Sequence, residues 1–293
     1  FYRSKGVKFY KERHNLFPIK GFISKLMHKK LFDKILYISD SVKEYLLSIG
    51  VSKNKLVFMP STVDVEAIDA TKSTFRDEFN ISQDELVIGT FTSLYRKKGV
   101  FDFASAAKEI LKTKDATIVF SGNISDGTKE QIASMFDEKD RIIFTGFRND
   151  AANIIKSFDI YVFASHSEGL GTVLLEAMSS KVPIVVYDNA PMNVLVKDRE
   201  RGLCAKNLDE ISLKECILEL INEPEKAKIY SQNAFKFVDE NFSHKALKEA
   251  IKNLLEHLER LYEKPVKLSI FVEDSDVLTP MDYRKKVYQD LRE

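Results

Sequence analysis

The sequence is short of cysteine, of long apolar runs and of net charge, and each shortage removes a class of protein. Two cysteines, Cys204 and Cys216, cannot build a disulfide framework. Both stand among apolar neighbours and read as buried thiols in a reducing compartment. No apolar stretch approaches the ~20 residues of a membrane span, and no secretory leader is visible, so the expected location is cytoplasmic. The chain begins at Phe1 rather than Met, which reads as a piece of a longer protein. A formal net charge of +1 argues against a general nucleic-acid binder. No His or Cys cluster has metal-ligand spacing, so no metal is expected. Internal repeats are absent too.

What is present is a globular composition, 44% apolar, with a charge asymmetry. Residues 1–60 hold 13 Lys/Arg against 4 Asp/Glu. Such a front end suits phosphates, acidic glycans or anionic lipid, or is simply a solvated lysine-rich face. The segment PIKGFISKLMHKK (18–30) is the part suited to rest on an anionic membrane surface, peripheral to its inner face. His28 within it is expected at the surface.

Along the chain, KILYIS (34–39) and KLVFMP (55–60) read as strands around a helix at 41–49, capped by Ser39, Asp40 or Ser41 and stopped by Gly50. Residues 61–69 look like a connector, followed by a capped helix near 71–80. A regular alternation follows. Strands are expected at 85–92, 116–121, 141–145, 159–164 and 182–187, and helices at 99–113, 127–136, 149–157 and 172–180. Val-, Ile- and Phe-rich strands alternating with ~10-residue helices predict βαβ units on a parallel sheet. Residues 208–262 are helical, ending in an amphipathic stretch. Residues 265–293 break the rhythm, with one candidate strand (KLSIFVE) and one candidate helix (MDYRKKVYQDLRE).

Ligands of open parallel sheets sit beyond the carboxyl ends of the strands, so the loops there are the places to search. The run FASHSEGLGTVLLEAM (163–178) joins a strand to a helix. Gly169 and Gly171 permit close backbone approach, and the helix start from Thr172 offers N–H groups to a phosphate. Glu168 and Glu176 can accept hydrogen bonds from two different sugars. An ordinary solvated loop is the alternative. Tyr95-Arg96-Lys97-Lys98-Gly99 sets cations at a helix N-terminus, where the helix dipole disfavours them unless an anion binds; plain solvation is again the alternative. Gly122-Asn123 and Gly146-Phe147-Arg148 follow other strands and either hold a flat base or merely turn the chain.

DIYVFASHSEGLGTVLLEAMSSKVPIVV closely resembles the signature of the family 4 retaining glycosyltransferases, enzymes of GT-B fold. Their E-x7-E pattern matches Glu168 and Glu176, their Lys-Gly matches Lys98-Gly99, and their linker is similar to KLVFMPSTVD, ending at Asp64. FSHKALKEAIKNLLEHLERLY resembles their closing helix. The resemblance covers roughly residues 34–262. It implies an α/β protein with two Rossmann-like parallel-sheet domains, the first incomplete. Residues 1–62 would be the remainder of an acceptor-side domain, 63–245 the nucleotide-sugar domain, 246–264 a helix crossing back, and 265–293 a tail.

The resemblance further implies transfer of a hexose from a nucleotide-diphosphate sugar, UDP- or GDP-linked, to a glycan or lipid-linked acceptor, with retention and without a metal. Glu168 would meet donor-sugar hydroxyls and Lys98 the departing diphosphate. Glu176 would hold the ribose. The backbone of Gly169, Leu170, Gly171 and Thr172 would bind phosphate and sugar, and Phe147 and Arg148 would lie against the base. Ser93 stands where the family usually has Arg, leaving Arg96 as the substitute for the phosphates. Thr62 replaces a linker glycine, and Asn189-Ala190-Pro191-Met192-Asn193 replaces a Gly-Gly-x-x-Glu loop. The family's acceptor-side His would fall before Phe1 or near Arg3–Lys5; His14 is a poor substitute, and His166 is expected to support the site from behind. These departures keep two alternatives open: a non-catalytic partner that binds nucleotide sugar, and a nucleotide-sugar epimerase of the same fold.

Overall fold

The computed structural model describes residues 10–13, 19, 21–59 and 61–262. They fall into two compact units, one drawn from the residues up to Asp64 and from Glu240 onward, the other from Val65–Asp239.

In the first unit, β1 (Tyr10–Arg13), β2 (Lys34–Tyr37) and β3 (Leu56–Phe58) form a parallel sheet in that order. Ser39 caps α2 (Asp40–Ser48) by accepting from the Val42 amide. Gly50, at φ 87°, turns the chain out of that helix. Ile35, Leu36, Val42 and Leu46 are buried. The sequence gives no hint of β1, because YKER has no apolar alternation; pairing with β2 supplies what propensity does not. His28, expected at the surface, is instead buried on α1 (Phe22–Lys30). Its Nδ1–H donates to the Ser24 carbonyl at 2.8 Å, and its ring meets Phe32 edge-on at 5.6 Å. A helix can be lysine-rich and still turn one residue inward, because its faces repeat every 3.6 residues.

The second unit is built on six parallel strands in the order β6-β5-β4-β7-β8-β9. They are β4 (Val87–Phe91), β5 (Thr117–Ser121), β6 (Arg141–Gly146), β7 (Ile160–Phe163), β8 (Ile184–Tyr187) and β9 (Leu203–Ala205). Every residue of β5, β7 and β8 is buried, as expected for strands covered on both faces. β6, at one edge, is only half-buried. The crossover helices are α5 (Val100–Leu111), α6 (Asp126–Ala133), α7 (Ala151–Ile155), α8 (Thr172–Ser179) and α9 (Met192–Val196), with α10 (Glu210–Asn222) after β9. Asp159 ties β4 to β7 at their entry ends: its carboxylate accepts from the Val87 amide at 2.7 Å and pairs with Arg76 at 2.9 Å.

The expected alternation is present, with shorter elements. The 61–69 connector is corrected: Val65–Ala70 coils into α3, favoured by the Glu and Ala of VEAIDA. The helix expected near 71–80 shrinks to α4 (Phe75–Glu78). α9 and β9 have no counterpart in the sequence reading, being too short to show a period. The helical region 208–262 divides into α10, α11 (Pro224–Phe242) and α12 (His244–Tyr262), with Pro224 opening the second of these. Cys204 and Cys216 are free and only half-buried, short of the full burial expected; burial nonetheless pushes their thiols up to about 12 and about 11. Arg3–Lys5, His14 and the strand and helix expected within 265–293 lie outside the described residues.

Phe120 anchors this core, fully buried against the rings of Phe103 at 5.1 Å and Phe144 at 5.3 Å. Phe120→Ala is expected to cost ~3–5 kcal/mol of stability, read as a lower urea midpoint at an unchanged slope.

Candidate active site

The chain fills the larger sheet outward from its middle. From β4 it steps to β5 and β6 on one side, and from β7 to β8 and β9 on the other. Strands β4 and β7 are neighbours, so the loops leaving them diverge and open a crevice, the general ligand position in such sheets. Lys98 lies on the loop leaving β4, and Glu168 on the loop leaving β7.

Arg96–Lys98 form a single 3-10 turn, and Gly99 ends it at φ 67°. A Cβ on Gly99 would stand 1.8 Å from the Ala164 carbonyl oxygen, so only glycine fits between the two loops. The approach is held by the His166 amide, which donates to the Lys97 carbonyl at 2.9 Å. Lys98 Nζ then meets Glu168 Oε1 at 2.5 Å, both side chains largely buried. The Phe163 and Tyr95 rings lie 5.9 Å from the same ammonium. The cation that the helix dipole disfavours at the start of α5 is therefore offset by a carboxylate from the neighbouring loop.

Downstream, Gly169, Leu170 and Gly171 lead into α8. Leu170 is buried, and Gly171 takes the left-handed conformation at φ 74° as the residue before the helix. No side chain caps that end, so the first N–H groups from Thr172 keep their capacity for an acceptor. Glu176 lies one turn further along. Its carboxyl has no hydrogen-bond or ion-pair partner among the described residues. Desolvation alone pushes it up to about 7.

The remaining residues singled out in the sequence follow β4 and β6 at the same end of the sheet. Ser93 is exposed just past β4. Arg96 is exposed and stacks its guanidinium over the Phe101 ring at 4.4 Å. Phe147 follows β6 and is 77% exposed. Arg148 beside it is held by a fork to Glu78, at 2.6 and 3.0 Å, and by Asp150 at 2.7 Å. Its hydrogen bonds in turn pull the Asp150 carboxyl down to about 2. The structure thus brings together Lys98, Glu168 and the Gly169–Thr172 turn. Arg148 is already fully engaged within the protein.

Two residues of this region, Asp102 and Tyr187, escaped the sequence reading. Asp102, in the first turn of α5, accepts from His166 and Tyr187, each at 2.9 Å. Asn189 donates to the Ser165 carbonyl at 3.1 Å and to Asn207 at 2.9 Å. The only prior signal was a carboxylate four positions after Lys98 on an otherwise apolar helix start. Among the described residues, no group of three or more His, Cys, Asp or Glu is placed to hold a metal ion.

Comparison with known proteins places the chain in a family. The model of the glycosyl transferases group 1 matches residues 71–237, which takes in all six strands of the larger sheet. An uncharacterized glycosyltransferase of Methanocaldococcus jannaschii is 28% identical over 245 residues, covering 80% of this chain and 61% of its own. The UDP-Gal:alpha-D-GlcNAc-diphosphoundecaprenol alpha-1,3-galactosyltransferase of Escherichia coli is 26% identical, covering 77% and 60%. The chain thus spans about three fifths of the length of these relatives. A glycosyltransferase structure from Rickettsia africae superposes with a TM-score of 0.79 at 19% identity, covering 90% of this chain and 73% of that one. Anabaena HepE in complex with UDP and glucose gives 0.74 at 17%, covering 86% and 72%. The fold is therefore α/β of the GT-B type, and the chain belongs to the glycosyl transferases group 1 family.

Proposed function

We propose that this chain provides the donor site of a retaining glycosyltransferase, one that moves a hexose from a UDP- or GDP-linked sugar to a glycan or lipid-linked acceptor. The observation behind this reading is the meeting of Lys98 and Glu168 in the switch-point crevice beside the uncapped start of α8. In the transition state, charge builds on the oxygen of the departing diphosphate. The Lys98 ammonium and the α8 amides stabilise it without a metal. Glu168 accepts from hydroxyls of the transferred sugar, and the backbone from Gly169 to Thr172 seats sugar and phosphate. Phe147 offers a flat face to the base, while Ser93 and Arg96 border the phosphates.

Glu176 adds support of a different kind. Glu176 is half-buried with no carboxyl partner among the described residues, which suits acceptance from the ribose hydroxyls. Two relatives fit the acceptor class. One acts on a diphosphoundecaprenol-linked sugar, and another, from Acholeplasma laidlawii, is a processive diacylglycerol alpha-glucosyltransferase. Lipid-linked acceptors would be met at the inner face of the membrane. Helix α1 suits such a surface: Phe22 and Ile23 are 80% and 74% exposed beside Lys25, Lys29 and Lys30.

Calorimetry with UDP, GDP and their sugars is expected to find one nucleotide bound, weakened ~10-fold or more in Lys98→Ala. Binding unchanged by both Lys98→Ala and Glu168→Ala would sink the donor-site reading. For Glu176 the folded carboxyl titrates near 7 and the unfolded one near its ordinary 4.5. Between those values the folded state keeps a proton that the unfolded state has lost, so stability falls as pH rises through the window. Glu176→Gln should therefore melt higher than the parent at pH 8, by on the order of 1–3 kcal/mol, and the gap should narrow towards pH 5 in a circular-dichroism melt. Flotation with anionic liposomes is expected to carry the chain upward, neutral liposomes less so, and Ile23→Glu to abolish it.

A further inference from the structure

Behind the crevice lies a polar cluster that the proposed chemistry does not use. Asp102 Oδ2 accepts from Tyr187 Oη at 2.9 Å and faces His166 Nε2 at 2.9 Å. The three residues come from different elements: the first turn of α5, the last residue of β8, and the loop after β7. Asp102 and His166 are 16% and 28% exposed at their side chains, and Tyr187 is fully buried. Burial and the charge of Asp102 hold the Tyr187 hydroxyl well above its ordinary value, so it stays a donor. With the carboxylate as acceptor, the imidazole proton sits on Nε2.

We propose that Asp102 is a positioning residue of the donor site: through His166 it clamps the Ser165–Gly171 loop, and so fixes where Glu168 stands. This rests on the donor-site reading above. The loop is also fastened at Gly169 and by Ser165 Oγ, which donates to the Lys97 carbonyl at 3.5 Å. Further fastenings are the His166 amide on the Lys97 carbonyl at 2.9 Å, the Asn189 amide on the Ser165 carbonyl at 3.1 Å, and Glu168 on Lys98 at 2.5 Å. The last of these must open when a diphosphate takes Lys98. From that moment Glu168 depends on its loop for position. The Asp102–His166 bond holds the loop two residues from Glu168 and is independent of Lys98's side chain. Asp102 also follows Lys98 on the same chain segment, so the segment presenting the ammonium and the loop presenting the carboxylate are referenced to each other. Tyr187 donates to the same Asp102 oxygen, and its ring lies 6.3 Å from that of His166, so it helps hold the carboxylate that faces His166.

The test uses the full chain. In Asp102→Ala, amides of residues 164–171 should exchange hydrogen ~10-fold faster, with β5 and β8 unchanged. Affinity for UDP-glucose should fall ~10-fold more than affinity for UDP, because the loop faces the sugar. His166→Ala cuts the same link from the loop side and should show the same pattern, which keeps the test available if the Asp102 variant folds poorly. The double variant should be no worse than Asp102→Ala alone, since one residue acts through the other. Faster exchange throughout the domain, additive losses, or equal losses for UDP and UDP-glucose would overturn the clamp. If neither ligand binds the parent chain while the loop still loosens in both variants, the clamp stands and the donor reading falls.

Discussion

Lys98 and Glu168 meet because two strand ends are allowed to come unusually close, and that approach governs the rest of the site. Gly99 leaves no room for a side chain against the Ala164 carbonyl. The His166 amide then ties the two loops backbone to backbone. Once the loops are fixed at that spacing, an ammonium on one and a carboxylate on the other lie within ion-pair distance, largely out of water. Such a pair contributes little net stability, since desolvation offsets most of the attraction. Its value is positional: each charge is held, desolvated, beside the uncapped start of α8.

The larger sheet supports this arrangement by being apolar and close-packed beneath it. β5, β7 and β8 are buried throughout, and Asp159 and Arg76 fasten the entry ends of β4 and β7. The Lys98–Glu168 pair and the Asp102, His166 and Tyr187 cluster gather at the carboxyl ends of the strands. There the chain tolerates an arrangement that costs stability, a carboxyl at Glu176 without a partner among the described residues, and there Gly171 takes the left-handed turn into α8. The concentration of such features at one end of one sheet separates a site from a set of ordinary turns.

Much of this was legible beforehand. Strand and helix alternation over 85–187 was visible because fully buried parallel strands read as continuous apolar runs, and the E-x7-E spacing with Lys98-Gly99 pointed to the crevice. Other parts were not. β1 and β9 form through pairing with a neighbour, which single segments cannot announce. His28 turned inward although its helix is lysine-rich. Arg148, which seemed available to a base, is held by Glu78 and Asp150; Glu78 lies 70 residues away in sequence.

By itself the sequence determined the periodicities, the glycines at forced turns and the residue types available at the strand ends, because these are properties of short segments. The tertiary structure alone decided which charges pair, which carboxyl is desolvated, and that Asp102, His166 and Tyr187 converge. Those outcomes depend on distances between segments 64 to 85 residues apart, and only packing sets such distances.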